Sequence, residues 1–116
     1  MFKVAIIGGE KTNDYPKFKK KCIQCLKNKV KEDSIMIYTI GDRFVDAFSE
    51  RYSIPTRFFP CDFKTFGKDA LKVRAEYLME DVDALIAFNY KNNKDASYFV
   101  NLANEKGIPV RTPFII

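Results

Sequence analysis

The stretch SIMIYTIGDRFVDAFSERY, residues 34–52, places an apolar strand pattern, a tight turn and a helical pattern in immediate succession. A strand followed by a helix N-terminus is where α/β proteins bind anionic ligands, because backbone N–H groups at the helix start have no partner within the helix. Such turns use glycine so that the backbone can approach the ligand closely. Here Gly41 is the one glycine, and Phe44 and Val45 fill the turn. The stretch therefore predicts an α/β fold and leaves open whether the turn binds a ligand or is closed by its own side chains.

The rest of the chain continues the same alternation. Apolar runs and helical periodicity predict strands at 4–7, 34–39, 57–59 and 82–88 and from 108, and helices at 15–31, 46–52, 69–80 and 94–106. This order predicts a single three-layer α/β domain over residues 1–116, with a five-stranded, mostly parallel sheet covered on both faces. Ligands of such sheets bind beyond the carboxyl ends of the strands, where we expect segments 8–13, 41–46, 61–68 and 89–95.

Composition excludes several classes of site. The 116 residues carry a formal net charge of +5, three cysteines and no histidine. Without histidine the chain lacks the usual general base and the commonest zinc ligand, so we expect neither a metal nor a cofactor. An odd cysteine count and the absence of an apolar run of about 18 residues favour a cytoplasmic protein that does not enter a membrane. The first residues are predicted to form a strand rather than a signal peptide.

Four stretches together resemble one protein family: VAIIGGEKTNDY (4–15), FPCDFKTFGKDALKVR (59–74), VDALIAF (82–88) and GIPV (107–110). With these the chain resembles the SLOG superfamily, specifically its small YspA-like branch, which is distantly related to the LOG phosphoribohydrolases. The resemblance covers nearly the whole chain. It implies a Rossmann-like domain and a nucleotide-like ligand at the C-terminal edge of the sheet. Whether the chain forms a homodimer is left undecided by the sequence.

The motifs that would hold and cleave such a ligand depart from the family pattern. Glu10 stands where the branch has an arginine after two glycines, and its glycine-rich phosphate loop is reduced here to Gly41, Arg43 and Asp46. Phe99 occupies the position of the glutamate that does catalytic work in LOG-type enzymes. The resemblance therefore implies a binding protein rather than a hydrolase, with no residue assigned to catalysis.

The candidate ligand-binding residues combine loop glycines, cations, polar side chains and loop aromatics. They are Gly8, Gly9, Asp14, Gly41, Arg43, Phe44, Asp46, Phe63, Lys68, Arg74 and Asn89. The glycines would bring backbone N–H groups to a phosphate, and the arginines would bind it bidentately. The aromatic side chains would cover a base. Lys68 begins a helix, where the helix dipole disfavours a cation unless an anion is bound.

Several of these candidates also have a structural alternative. Gly8 and Gly9 would form a tight turn between the strand and its loop, and Arg74 would be an ordinary arginine of an amphipathic helix. Arg43 would pair with Asp42 or Glu50, and Asp46 would cap its helix through a backbone N–H two or three residues on. Phe63 would pack in the core beneath its loop.

Two other functions remain open beside nucleotide binding. One is a weak N-glycosidic or phosphate hydrolase that uses Glu10, Asp14 or Asp46 as acid or base. The other is an interaction module with a closed pocket, which binds a protein through its lysine-rich first helix or binds nucleic acid weakly.

Overall fold

The computed structural model describes residues 1–32 and 34–116, and the side chains of 1–27 and 34–116. Five strands form one sheet in which every pairing is parallel. They are β1 (Phe2–Ile7), β2 (Ile35–Thr39), β3 (Thr56–Phe58), β4 (Ala84–Ala87) and β5 (Val110–Arg111). The sheet order is β3-β2-β1-β4-β5. The predicted α/β class with a five-stranded parallel sheet is confirmed, and strand order reverses between β1 and β4.

Helices cover both faces of the sheet. They are α1 (Tyr15–Glu32), α2 (Arg43–Arg51), α3 (Phe63–Phe66), α4 (Ala70–Met79) and α5 (Lys94–Lys106). Side chains of α1 and α2 share one core cluster, and side chains of α4 and α5 share the other. In the described part of the chain, no helix is both long enough and apolar enough to span a bilayer.

The central strand β1 contributes to both core clusters. Ile6 packs with Phe18 and Phe48 on the α1–α2 face, and Ile7 packs with Leu78 and Phe99 on the α4–α5 face. Because both faces of the strand are buried, its apolar residues run without alternation, as is typical of parallel sheets.

Several element boundaries differ from the sequence prediction by one to three residues, and the one-turn helix α3 was not predicted. Helix α2 begins at Arg43 rather than at Asp46, because Asp42 caps it. Strand β3 ends at Phe58, after which Phe59 packs on Tyr38 with ring centroids 5.5 Å apart while Phe58 stays exposed. Phe59 is therefore partly buried against the α4–α5 core cluster.

Candidate functional site

The ends of β1 and β2 and the start of α5 meet around a small cavity. Its lining includes Gly8, Glu10, Gly41, Asp42 and Asp95, and its volume is about 90 Å³. The structure therefore brings Gly8 and Gly41 together at the predicted edge of the sheet. The cavity is well below the roughly 300–1,000 Å³ of ordinary small-molecule sites.

The carboxylate of Asp42 occupies the amide groups that a phosphate would use. Both of its oxygens accept a hydrogen bond from the Glu10 backbone N–H at 3.0 Å. Its Oδ1 also accepts from the backbone N–H groups of Phe44, at 2.9 Å, and Val45, at 3.2 Å. Amides at a helix N-terminus and in the preceding loop are the usual donors to a bound anion. In this chain the anion is a side chain of the same loop.

Asp42 also replaces the predicted helix cap. Asp46 was predicted to cap α2, but it lies within the first turn and its Oδ1 is 3.4 Å from the Thr39 hydroxyl. Burial raises the pKa of the Asp42 carboxyl, against the opposing effect of its three backbone hydrogen bonds; the nearby Glu10 carboxylate raises it further. Asp42 is thus a buried acid whose environment both desolvates its charge and binds it.

Arg43 forms an ion pair with Glu10. Its Nε lies 3.2 Å from Glu10 Oε2, and its backbone N–H donates to the same oxygen at 3.2 Å. Neither Asp42 nor Glu50, the predicted alternatives, is its partner. Glu10 therefore accepts hydrogen bonds from both the backbone and the side chain of Arg43, and the arginine side chain is largely exposed.

Phe44 turns away from the cavity. Its ring packs against Tyr15 and Phe18 of α1, with centroids 5.4 and 5.7 Å apart. It is half-buried against the α1–α2 core cluster and does not line the cavity, so it neither covers a ligand there nor fills the turn.

The two glycines after β1 are needed for close packing. Gly8 has φ +82°, and a Cβ there would lie 2.8 Å from the carbonyl oxygen of Phe88. A Cβ on Gly9 would lie 2.5 Å from the Phe18 ring. Their places are therefore explained by contacts within the protein.

Asn89 and Asp14 likewise have structural partners. The Asn89 side chain donates to the Ile115 carbonyl at 2.9 Å and accepts from the Ile115 N–H at 2.7 Å. The Asp14 carboxylate accepts from the Lys17 backbone N–H at 3.2 Å at the start of α1.

Phe63, on α3, is 58% exposed, so its predicted burial in the core is wrong.

A larger cavity lies between the N-terminal halves of α4 and α5, at the same edge of the sheet. Its volume is about 300 Å³. The lining residues are Lys68, Asp69, Leu71, Lys72, Arg74, Ala75, Asp95, Tyr98 and Phe99. Two predicted site residues, Lys68 and Arg74, therefore share one cavity, and Asp95 borders both this cavity and the smaller one.

Arg74 is the unusual group of this cavity. Its Nε is buried and lacks a hydrogen-bond partner among the described residues. A buried donor of a charged group without a partner is costly, and such groups are rare in folded proteins.

Lys72, Asp95 and Tyr98 were missed as site residues. One signal was available, since Lys68 and Lys72 are four residues apart and therefore face the same side of the α4 region.

Among the described residues, no three acidic or cysteine side chains are grouped as metal ligands would be. Cys22 is buried within α1, and burial raises its thiol pKa well above the ordinary range.

No family model, no curated protein and no solved structure matches this chain.

Proposed function

We propose that the protein binds a small anionic molecule of nucleotide type in the cavity between α4 and α5, without hydrolysing it. The observation that carries this proposal is the buried, unpartnered Nε of Arg74. A phosphate or carboxylate oxygen of a ligand would supply the missing acceptor, and a guanidinium binds such groups bidentately.

The charges around the cavity support an anionic ligand. Lys68, Lys72 and Arg74 face two carboxylates, Asp69 and Asp95, which leaves one net positive charge. Neither lysine forms an ion pair with another described residue, so both ammonium groups remain available to a ligand.

Size and an aromatic side chain support a nucleotide. The 300 Å³ of the cavity lies at the lower end of small-molecule sites, which suits a mononucleotide better than a dinucleotide. Tyr98 is partly exposed at the cavity wall, where its ring could stack on a base.

The absence of hydrolysis follows from the residue at the catalytic position of the resembled enzymes. Phe99 is buried in the core, 3% exposed, and offers neither acid nor base. We therefore expect no free base to be released from nucleoside 5′-monophosphates; chromatographic detection of base release that Arg74→Ala abolishes would contradict this part of the proposal.

Calorimetry with a panel of nucleoside mono- and diphosphates tests binding. Arg74→Ala should weaken binding of the highest-affinity nucleotide by about 1.5–3 kcal/mol, which is roughly 10- to 150-fold in the dissociation constant. This is the range for a hydrogen bond to a charged group. Arg74→Lys should recover only part of the loss because an ammonium cannot bind bidentately.

Arg43→Ala is the matched control, because Arg43 does not line the α4–α5 cavity and is already paired with Glu10. It should leave affinity unchanged within about twofold. Failure of the wild-type protein to bind any nucleotide, or a larger loss in Arg43→Ala than in Arg74→Ala, would overturn the proposal.

A further inference from the structure

A third concave surface lies in the opposite helix layer, between α1, the C-terminal end of α2, the start of β2 and the loop before β3. This α1–α2 groove has a volume of about 570 Å³. Its apolar floor is formed by Leu26, Ile35, Phe48 and Ile54. It shares no lining residue with the α4–α5 cavity.

Two large apolar side chains at the rim of this groove are exposed. Ile23 is 43% exposed and Tyr52 is 41% exposed, and both line the groove. Their exposure extends the apolar surface from the buried floor to the outside of the protein, as at surfaces that receive a partner's side chains.

Cations surround the apolar rim. Lys27 lines the groove itself. Lys19 Nζ and Arg51 Cζ each lie 5.9 Å from the centroid of the Tyr52 ring. An apolar floor framed by positive charge is complementary to a segment that has apolar anchors flanked by acidic residues.

The groove continues along the outer side of α1. A second shallow depression is lined by Pro16, Lys19, Lys20, Gln24 and the shared residues Ile23 and Lys27. From Pro16 to Lys27 the helix rises roughly 16 Å. A surface of this length and basic character suits an elongated occupant better than a compact small molecule.

We propose that the α1–α2 groove docks an acidic, amphipathic segment of a partner protein. One or two large apolar side chains of the segment enter the groove, and its carboxylates pair with Lys19, Lys27 and Arg51. This is the groove-binding mode of amphipathic peptides. A membrane would require apolar side chains that protrude, and nucleic acid would not use an apolar floor, so a protein segment fits the concave surface best.

The test is selection from a library of random peptides about 15 residues long, which is four turns of helix. The selected peptides should be acidic with apolar residues at helical spacing. Their dissociation constants, measured by fluorescence anisotropy, should rise about tenfold or more for Ile23→Asp.

Tyr77→Asp is the matched control, because Tyr77 is 57% exposed on α4, in the other helix layer, and lines neither the groove nor the α4–α5 cavity. It should leave the dissociation constants unchanged, and circular dichroism should show both variants folded. Equal weakening by Tyr77→Asp and Ile23→Asp, or selected peptides that bind Ile23→Asp as tightly as wild type, would overturn the proposal.

A charge swap identifies the pairing groups. The double variant Lys19→Glu/Lys27→Glu should no longer bind the acidic peptides. Peptides in which lysine replaces glutamate should bind this double variant. Failure of the swapped peptides to restore binding would contradict the proposed ion pairs.

Two further probes address the other macromolecules. Vesicles of phosphatidylserine and phosphatidylcholine, and a short DNA duplex, should bind weakly and should not respond to Ile23→Asp. Tight binding of either probe that this variant abolishes would assign the groove to a different partner and reject the proposal.

Discussion

At the scale of the residue, Asp42 shows why a loop can resemble a phosphate site and be filled from within. Its carboxylate is 5% exposed and accepts hydrogen bonds from three backbone N–H groups. Two of those groups belong to the first turn of α2, and the third belongs to Glu10 in the loop after β1. The side chain therefore joins two loops that are separated by 32 positions in the chain.

Asp42→Ala should lower the free energy of unfolding by about 1–3 kcal/mol, because buried donors lose their acceptor. Urea denaturation measures the change. Asp46→Ala is the control, since Asp46 is exposed and makes one long contact, and its effect should stay within about 0.5 kcal/mol. A larger loss in Asp46→Ala would show that the cap has been assigned to the wrong residue.

The sequence could not distinguish these two aspartates. A carboxylate at Asp42 or Asp46 has the right spacing to cap a helix, and the apolar pattern favoured the later start. The choice depends on Glu10, whose backbone N–H reaches Asp42 only after β1 and β2 pair. Contacts of this kind are set by tertiary structure and leave no local pattern.

At the scale of the element, the C-terminal segment after β5 is held by Asn89. The side-chain amide of Asn89 makes both hydrogen bonds of the Ile115 main chain, and its own N–H donates to the Pro113 carbonyl. Asn89 also has φ +48°, a left-handed conformation that asparagine tolerates better than most residues. The residue was predicted to bind a ligand, and the structure explains it through backbone geometry and this attachment.

Replacing Asn89 by glycine and by alanine separates the two roles. Asn89→Gly keeps the left-handed backbone and removes the two side-chain hydrogen bonds, which should cost about 1–3 kcal/mol. Asn89→Ala adds the strain of φ +48° and should cost roughly 1 kcal/mol more. Hydrogen exchange of the Ile115 amide should become faster in both variants; unchanged exchange would mean that another contact holds the segment.

A cluster at the opposite, N-terminal edge of the sheet predicts a pH dependence. The Asp81 carboxylate accepts hydrogen bonds from the Tyr38 hydroxyl, from Lys3 Nζ at 3.0 Å and from Arg57 Nη1 at 3.3 Å. Hydrogen bonds from Tyr38 and then Lys3 hold the pKa of Asp81 below its ordinary value. The contact with Asp81 raises the pKa of Lys3 in turn.

Because the folded state lowers the pKa of Asp81, its contribution to stability is present above the ordinary aspartate pKa and is lost as pH falls through the lowered value. Asp81→Asn should therefore be less stable than wild type at pH 7, and the difference should shrink in acid. Denaturation curves across the acid range measure this, with the exposed Glu76→Gln as control. A difference that grows as pH falls would reverse the assigned sign.

At the scale of the whole molecule, two core clusters share one central strand. The radius of gyration is 13.4 Å, which is the value expected for a compact chain of this length. Ile6 and Ile7 are both fully buried but face different helix layers. Stability should therefore depend similarly on both layers.

Ile6→Val and Ile7→Val should each lower the free energy of unfolding by about 0.5–1.5 kcal/mol, with no change in the denaturant dependence. Ile116→Val, at a fully exposed position, should have no measurable effect. If one of the two buried substitutions were neutral, the layer it faces would not unfold cooperatively with the rest.

The fold was more predictable than the site because it depends on periodicity. Alternating apolar runs and helical patterns specify a parallel sheet wherever they occur, and all five strands were located to within a few residues. The candidate site depends on where side chains meet. Lys68 and Arg74 were predicted to bind a ligand, and they share a cavity. Phe44 and Asn89 were also predicted to bind a ligand because they lie in loops, but their side chains contact other residues of the protein instead.

The tethered carboxylate of Asp42 has a consequence for the molecule's response to its surroundings. A carboxylate fixed on the same loop acts at an effective concentration that is at least on the order of mM, and it pays no cost of association when it binds. Inorganic phosphate in solution would have to displace it from amides that it already holds. The geometry of the two loops is therefore set independently of the ionic composition around the protein. Added phosphate should not bind at these loops, and it should not raise the temperature of heat-induced unfolding through them.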